Sequence, residues 1–269
     1  MRDDGTMEPE VDVTVPSVAR MYDFYLGGKD NYAVDRAAVA ELDKVVPSTK
    51  PLAINNRRFL QRVVRRLAED HGVRQFLDHG SGLPTQDNVH QVAQRIDPES
   101  RVVYVDNDPI VLAHGRALLQ EDSRTAVLQA DMRDTDLIFE HPEVERLIDF
   151  GEPVAALFVS VMHCIPDPDP QALVERVRER LPKGSYLVIN QLVSEDKKTR
   201  DFVTDFMAES TKGNWGRVRE AHEVERYFEG LELLEPGLGW INAWRPDSDL
   251  ALREQTDEWY EFGGVARVP

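Results

Sequence analysis

The stretch Phe76-Leu-Asp-His-Gly-Ser-Gly-Leu-Pro-Thr85 joins a short apolar run to an acidic residue and two glycines separated by one residue. We interpret it as a buried first strand that turns sharply into a nucleotide-binding loop. Gly80 and Gly82 have no Cβ, so the backbone there can adopt unusual dihedral angles and a ligand can approach the main chain closely. The loop leads to a helix expected from Thr85 to Arg95, whose first amides would be unpaired and would face that ligand.

Three kinds of site use a strand, a tight glycine turn and a helix. A dinucleotide-binding fingerprint requires a third glycine where this chain has Thr85. A hydrolase nucleophile elbow requires glycines where it has His79 and Leu83. The remaining pattern is Asp78 followed by Gly-x-Gly, in which the carboxylate accepts from an amine of the ligand and the glycines accommodate its body. An ordinary turn is the alternative interpretation of the two glycines.

The composition limits the classes of partner. The chain has 269 residues, with 32 Lys and Arg against 49 Asp and Glu and a formal net charge of −17, which disfavours nucleic acid and anionic membranes. The length suits one large α/β domain, or one domain with an appended lid. The single cysteine, Cys164, fits a reducing compartment. No apolar run could span a membrane and no signal-peptide core is present, so we expect a cytoplasmic protein.

The N-terminal part of the chain is predicted to precede the core as a helical cap. Residues 1–15 are acidic and lack apolar periodicity, so we expect a disordered tail. Residues 16–70 are predicted to form the cap or lid, with helices over 34–44 and 55–69 joined by a proline-containing linker. Residues 71–269 are predicted to form the ligand-binding core.

The first helix of the cap has an unusual composition. It begins after Ser17, ends at Gly27-Gly28, and is rich in Tyr, Asp and Arg. This composition favours a lid that lies over the ligand, with Tyr22 and Asn31 among its contacts. A purely amphipathic helix is the alternative.

The second strand of the core ends in a carboxylate. The run Arg101-Val-Val-Tyr-Val-Asp106 is almost continuously apolar, which suits a parallel strand covered on both faces. Asp106 lies at its carboxyl end, where open α/β sheets bind ligands, and it can accept both hydroxyls of a ribose. The alternative, a cap for the helix that begins near Pro109, fits Asp108 better than Asp106.

The third and fourth strands also end in polar residues. After residues 125–130 come Asp131 and Met132; the carboxylate can accept from the exocyclic amine of an adenine, and the neighbouring amide can reach a ring nitrogen. The fourth strand, residues 154–160, is apolar and ends at Ser160, and it leads to His163 at the expected ligand-facing edge. His163 is therefore the candidate catalytic residue, with a structural histidine as the alternative.

Two late strands, residues 230–235 and 261–268, follow five alternating strand and helix units. Such strands predict an antiparallel edge added to a parallel sheet, which favours a methyltransferase sheet over a dehydrogenase sheet.

Together these segments resemble a bacterial family of S-adenosyl-L-methionine-dependent methyltransferases long catalogued as a domain of unknown function. The resemblance is carried by Leu26-Gly-Gly-Lys-Asp-Asn31, by the loop from Gln75 to Thr85 and by Val103-Tyr-Val-Asp-Asn-Asp-Pro109. It implies a class I methyltransferase fold, which is Rossmann-like. That fold has a mostly parallel seven-stranded sheet with an antiparallel last strand, helices on both faces and, here, the N-terminal helical cap.

The resemblance also implies where S-adenosylmethionine would bind. It would lie across the ends of the first three strands. Its methionine part is expected to contact Asp78, Gly80 and Gly82, its ribose Asp106, and its adenine Asp131 and Met132. Four further residues are expected nearby: Asn107, Ser160, Tyr22 and Asn31. Asn190-Gln191 departs from the Ser-His pair expected after the fifth strand.

The activity implied by the resemblance is transfer of the sulfonium methyl group to a small-molecule acceptor, with His163 as a candidate base. The fourth strand is not followed by the Asn-Pro-Pro-Tyr type of motif used on nucleic-acid bases. Two alternatives stay open: a non-catalytic S-adenosylmethionine- or S-adenosylhomocysteine-binding regulatory protein, and an NAD-dependent oxidoreductase. The 7 histidines are scattered, with no His-Glu-x-x-His motif and no paired cysteines, so no metal site is expected. The pattern does not predict an oligomeric state.

Overall fold

A computed structural model describes residues 12–84, 87–118, 123–247 and 258–269 of the chain. The strands are β1 (Gln75–His79), β2 (Arg101–Asp106), β3 (Thr125–Gln129), β4 (Ala155–Val159), β5 (Tyr186–Val193), β6 (Glu232–Leu233), β7 (Gly239–Trp240) and β8 (Tyr260–Arg267). The helices are α1 (Val18–Tyr25), α2 (Ala33–Leu42), α3 (Thr49–His71), α4 (Val89–Ile96), α5 (Pro109–Leu118), α6 (Thr135–Phe139), α7 (Pro142–Leu147), α8 (Asp169–Arg180), α9 (Lys197–Ser210) and α10 (Ala221–Glu225). Short 3-10 helices span Met162–Cys164, Arg226–Phe228 and Ile241–Ala243.

The described strands form one mixed sheet with the order β3-β2-β1-β4-β5-β8-β6, and β7 also pairs with β8. Strands β1 to β5 are parallel to one another. Strand β8 runs antiparallel to β5, with Tyr186 opposite Arg267 and Val193 opposite Tyr260. The predicted parallel sheet with an antiparallel addition is confirmed. The sheet has eight strands rather than seven because two short segments, β6 and β7, pair separately with β8.

Both faces of the sheet are covered by helices, as predicted. Strands β1, β4 and β5 are buried at every position. Neighbouring residues of a strand point to opposite faces, and accordingly Phe76 packs with Phe59 and Val63 of α3 while Leu77 packs with Leu173 of α8. Helix α3 therefore packs on β1, and the division of the chain after residue 70 stays a prediction.

Two helix boundaries differ from the sequence prediction. Helix α3 begins at Thr49, because Pro51 lies in its first turn, where no intrahelical partner for a backbone N–H is required. The predicted linker is therefore wrong from Thr49 onward, because these residues belong to α3. Helix α4 begins at Val89, with Asn88 as its N-cap and a reciprocal hydrogen bond from the Asn88 N–H to the Gln91 side chain (2.9 Å). Thr85, the predicted start, lies outside the described residues, as do residues 1–11 of the predicted tail.

The cap is held together by a buried ion pair and is joined to the core by a hydroxyl contact. Arg20 of α1 donates from Nε to Asp35 of α2 (2.9 Å), and both side chains are buried. Asp35 also accepts from the backbone N–H of Ser17 (3.0 Å), and the Ser17 hydroxyl donates to Asp108 in the turn between β2 and α5 (2.6 Å). The start of α1 is thereby fixed beside the carboxyl edge of the sheet. Among the described residues, no helix combines the length and apolar character needed to cross a bilayer.

Candidate functional site

A cavity of about 680 Å³ lies at the carboxyl edge of the sheet, between the cap and the strand ends. Parallel strands present their carboxyl ends at one edge, which is where open α/β sheets bind ligands. The predicted site residues that line it are Tyr22, Asp78, Gly80, Gly82, Asp106, Asn107, Asp131, Met132, Ser160 and His163.

Asn31 is not among the residues that line the cavity. Its side-chain amide donates to the Asp23 carboxylate (2.8 Å) and to the Gly28 carbonyl (3.2 Å) in the loop after α1. Asp23 is buried, and a buried carboxylate requires hydrogen-bond donors. The structure thus gives Asn31 a role in holding this loop, and the cofactor contact predicted for it lacks support.

The glycine loop has the backbone that the sequence predicts. Gly80 and Gly82 have φ angles of 72° and 65°, in the left-handed region. A Cβ on Gly80 would lie 2.5 Å from Val161 and 2.9 Å from Met132, whereas a Cβ on Gly82 would meet nothing within 4 Å. Gly80 is therefore required by packing, and Gly82 leaves open space for a ligand.

Two carboxylates that follow β2 have separate roles. Asp106 accepts from the backbone N–H of Gly82 (2.8 Å) and of Asp108 (2.9 Å), which ties the glycine loop to the end of β2. Asp108 accepts from the backbone N–H of Ile110 (3.0 Å) at the start of α5, as a helix cap does. Burial raises the pKa of Asp106 to about 6. Asp106 lines the cavity, whereas Asp108 caps the following helix, and the ligand role of Asp106 stays a prediction.

Asp78 is a buried carboxylate at the end of β1 that lacks a hydrogen-bond partner among the described residues. Its side chain is 4% exposed. Burial raises its pKa to about 7, and the charges of Arg57 and Asp106 act on it in opposite directions. A buried polar group without a partner is costly unless a ligand supplies one. A cationic donor group would therefore bind here.

Asp131 lies at the end of β3 beside Met132. Arg133 donates to its carboxylate (2.6 Å for the Nη2 bond) and this contact lowers the pKa of Asp131. The methyl group of Met132 lies against Gly80. The third strand end is thus anionic on one side and apolar on the other, which matches an adenine amine and an adenine ring.

Glu261 is a site residue that the sequence analysis missed. Because β8 is antiparallel to β5, its first residues lie at the carboxyl edge of the sheet. Glu261 is 4% exposed and lines the cavity. It accepts from the Ser160 hydroxyl and from the Asn190 side-chain amide (2.7 Å for the latter). Burial raises the pKa of Glu261 to about 7. An acidic residue at the start of an apolar, antiparallel strand is the signal that could have found it.

A chain of hydrogen bonds connects Glu261 to the cap. The amide of Asn190 also donates to Asn56 of α3 (2.9 Å), and Asn56 donates to the Tyr22 hydroxyl (3.0 Å). Tyr22 donates in turn to the Ala53 carbonyl (3.1 Å). Polar side chains therefore link helix α1, helix α3 and the cavity residue Glu261.

His163 lies in the 3-10 helix after β4 and is 2% exposed. Its Nδ1 accepts from the backbone N–H of Leu192 (3.3 Å), and its ring packs against Trp215 with 4.9 Å between centroids. Burial, with the nearby charge of Arg219, lowers the pKa of His163 to about 3. A neutral imidazole that accepts at Nδ1 carries its proton on Nε2, so this geometry favours donation from Nε2 rather than acceptance of a proton.

Another part of the cavity lining is apolar. It is formed by the cap, α9 and the segments that flank it, and its lining residues include Met21, Tyr25, Leu52, Leu192, Met207, Trp215 and Trp259. The cavity thus has a polar half made by strand ends and an apolar half made by the cap and α9.

Comparisons with known proteins agree with this geometry. Residues 4–269 match the family model described as S-adenosyl methyltransferase. A crystal structure from Thermobifida fusca YX, described as that of a methyltransferase, is 42% identical, with a TM-score of 0.88 over 96% of this chain and 97% of that one. A DUF574 family protein from Streptomyces avermitilis MA-4680 is 37% identical, with a TM-score of 0.87 over 97% of this chain and 100% of that one. A search of curated proteins found no match.

Proposed function

The chain belongs to the S-adenosyl methyltransferase family, and from that premise we propose that it methylates a small molecule bound in the apolar half of its cavity. Its cofactor is S-adenosyl-L-methionine. The observation that carries the proposal is that one cavity is lined both by polar residues at the strand ends and by apolar residues of the cap and α9, with Ser160 and Glu261 also in its lining. A cavity of about 680 Å³ suits a cofactor and a compact acceptor.

The residues of the polar half fit the functional groups of the cofactor. We assign Asp78 to its ammonium group, Asp106 to its ribose hydroxyls, and Asp131 with the main chain at Met132 to its adenine. The buried carboxylate of Asp78, without a partner among the described residues, and the open space beside Gly82 support this assignment. Asn107, Ser160 and Tyr22 line the same cavity and complete the proposed contacts.

The cofactor, when bound, supplies an electrophilic methyl group on a positively charged sulfur. The chain's own residues align the acceptor with that group and exclude water, since alignment and desolvation are the main contributions a protein makes to direct transfer. Residues 16–70, with Tyr22 hydrogen-bonded to α3, would act as the lid.

We also propose a cytoplasmic location and an acceptor that is neither nucleic acid nor membrane. The net charge of −17 supports this choice of acceptor, because it would repel both of those anionic partners.

One experiment tests the cofactor and the acceptor class together. We expect S-adenosylmethionine and S-adenosylhomocysteine to raise the unfolding temperature and NAD to leave it unchanged; a ligand at 100 times its dissociation constant adds about 2.7 kcal/mol. The protein is then incubated with methyl-tritiated S-adenosylmethionine and a cell extract separated by ultrafiltration.

The label is expected in the small-molecule fraction. Label in the protein or nucleic-acid fraction would contradict the proposed acceptor class. Cofactor binding without transfer into either fraction would instead identify a regulatory binding protein.

The role of His163 stays a prediction, and replacement by alanine tests it. We expect His163→Ala to lower turnover by at least about tenfold, because a positioned proton donor or acceptor contributes a factor of this size or more. The dissociation constant of S-adenosylmethionine, measured by calorimetry, should change little. His222→Ala serves as the control because the His222 side chain is 66% exposed. Unchanged turnover would remove His163 from the mechanism.

A further inference from the structure

We propose that Glu261 holds the nucleophile of the acceptor and receives its proton, and that the acceptor is an amine carried by an apolar, ring-bearing small molecule. This inference rests on the proposed function and gives a substrate class to the apolar half of the cavity. Four observations carry it. They are the place of Glu261 in the cavity, its hydrogen bonds, the absence of a cation beside it among the described residues, and the aromatic wall of the cavity, formed by Tyr25, Trp215 and Trp259.

Glu261 lies where the two halves of the cavity meet. On one side it accepts from Ser160, which directly precedes Val161, the residue whose side chain lies over Gly80 in the cofactor half. On the other side is Trp259, which lines the cavity two residues earlier in the chain. Alternate residues of an extended segment point to the same side. A group that contacts Glu261 is therefore next to both the cofactor half and the aromatic wall.

The hydrogen bonds of Glu261 fix its carboxylate without neutralising it. Both donors, the Ser160 hydroxyl and the Asn190 amide, are uncharged. Within the described part of the chain Glu261 takes part in no ion pair, in contrast to Asp35, which is paired with Arg20. A buried carboxylate is stable when a cation or several donors contact it. The two donors leave lone pairs for one more group, and an ammonium ion supplies both the charge and the donors.

The cofactor does not supply the cation that Glu261 lacks. Three carboxylates whose pKa values are raised by desolvation line the cavity, namely Asp78, Asp106 and Glu261. The ammonium group and the ribose hydroxyls of the cofactor match the first two. Glu261 is left for the acceptor, and its pKa of about 7 allows it to take up and release a proton near neutral pH.

The other titratable groups near Glu261 are poorly suited to receive a proton. Burial raises the pKa of both Tyr22 and Cys164 to about 12, so each keeps its own proton near neutral pH. His163 already accepts at Nδ1 from Leu192. Glu261 is thus the proton acceptor that the geometry supplies at this point of the cavity.

The proposed step balances in protons and electrons. The amine enters as an ammonium ion and passes one proton to a Glu261 oxygen, which frees the nitrogen lone pair. That lone pair forms the new N–C bond to the sulfonium methyl group while the C–S bond breaks and its electrons stay on sulfur. The product leaves as a methylated ammonium ion with a neutral thioether, and the proton on Glu261 passes to solvent.

The aromatic wall indicates the body of the acceptor. Tyr25, Trp215 and Trp259 line the apolar half together with the flexible side chains of Met21 and Met207. Aromatic and thioether groups pack well against flat apolar rings. An aromatic ring joined to the amine by a short linker would place the ring against these side chains and the amine at Glu261.

Matched ring compounds test the inference. Tryptamine, tryptophol and indolepropionate share one ring and differ in charge, as do phenethylamine, phenethyl alcohol and hydrocinnamate. Each is titrated calorimetrically into the protein saturated with S-adenosylhomocysteine. We expect at least one amine to bind at least about tenfold more tightly than its alcohol, which corresponds to roughly 1.4 kcal/mol, and the anions to be rejected. With S-adenosylmethionine, mass spectrometry should show N-methylation of the amine that binds.

Variants identify the group responsible. Glu261→Gln should remove the preference for the amine while S-adenosylhomocysteine still binds. Tyr260→Phe is the matched control, because Tyr260 is adjacent in β8 and its hydroxyl contacts Glu195 rather than the cavity; it should leave the preference intact.

The outcomes separate this inference from the proposed function. Failure of S-adenosylhomocysteine to bind the wild-type protein would overturn the proposed function itself. If it binds, the inference is overturned when no amine binds, when an alcohol or anion binds as tightly, when an alcohol is O-methylated, or when folded Glu261→Gln keeps the preference. The comparison of amine, alcohol and anion on the wild-type protein holds even if the variant does not fold.

Discussion

Replacing Asp106 with alanine is expected to weaken S-adenosylmethionine binding by at least about a hundredfold. A hydrogen bond to a charged group contributes about 1.5–3 kcal/mol, and Asp106 is assigned two such bonds to the ribose hydroxyls. The same carboxylate accepts from Gly82 and Asp108, so its removal also releases the glycine loop. Calorimetric titration of S-adenosylhomocysteine, which shares the ribose, measures the loss without any need for an acceptor.

Two further variants make the Asp106 result specific. Asp97→Ala removes a carboxylate that likewise accepts a backbone N–H (from Glu99, 2.9 Å) but does not line the cavity, and affinity should be unchanged. Asp106→Asn keeps the size of the side chain and one acceptor oxygen, so its loss should be smaller than that of alanine. Wild-type affinity in Asp106→Ala would show that the ribose binds elsewhere.

Replacing Gly263 with alanine is expected to destabilise the fold by roughly 3 kcal/mol, because forcing extra atoms into a packed interior costs about this much. A Cβ at Gly263 would clash with the carbonyl oxygen of Ile189 and lie 2.6 Å from the Asn190 Cα, and both are backbone atoms of β5. Strands β5 and β8 would have to separate. At about 2–4 °C per kcal/mol, the unfolding temperature should fall by roughly 10 °C.

Gly239→Ala is the matched control for this substitution. Gly239 lies opposite Gly263 in β7, and a Cβ there would meet nothing within 4 Å. Its effect should stay within about 0.5 kcal/mol, as for other substitutions without a named mechanism. Equal unfolding temperatures for the two variants, measured by calorimetry, would show that β8 can move away from β5 at no cost.

The parts of the site that local pattern predicts are those at the ends of parallel strands. Asp78, Asp106 and Asp131 each follow an apolar run, and parallel strands bring such ends to one edge regardless of what lies between them in the sequence. The pattern of β1 and β2 was therefore sufficient to locate the polar half of the cavity. Their individual contacts with the cofactor stay predictions.

The parts that the sequence did not predict depend on contacts between distant segments. Glu261 belongs to a strand that was predicted, and the antiparallel orientation of that strand was predicted as well. Its partner, Ser160, directly follows β4, and the register that brings the two side chains together does not follow from the local pattern. The position of Asn31 away from the cavity lining has a related reason: a loop rich in polar residues does not indicate which side chain turns inward to Asp23. Pro51 was assigned to a linker. A proline is compatible with the first turn of a helix, and whether Pro51 lies in that turn depends on where α3 begins, which the local pattern does not show.

The place of β8 between β5 and β6 has a consequence for how the chain folds. Strand β5 is buried along its whole length, and on one side its partner in the sheet is β8, which lies far along the chain. Pairing between distant segments is slow. Until it occurs, an eight-residue apolar strand exposes a row of unpaired backbone groups, which is a template for association with other chains. We therefore expect refolding to be slow and aggregation to depend on concentration, with both governed by the rate at which β8 pairs with β5.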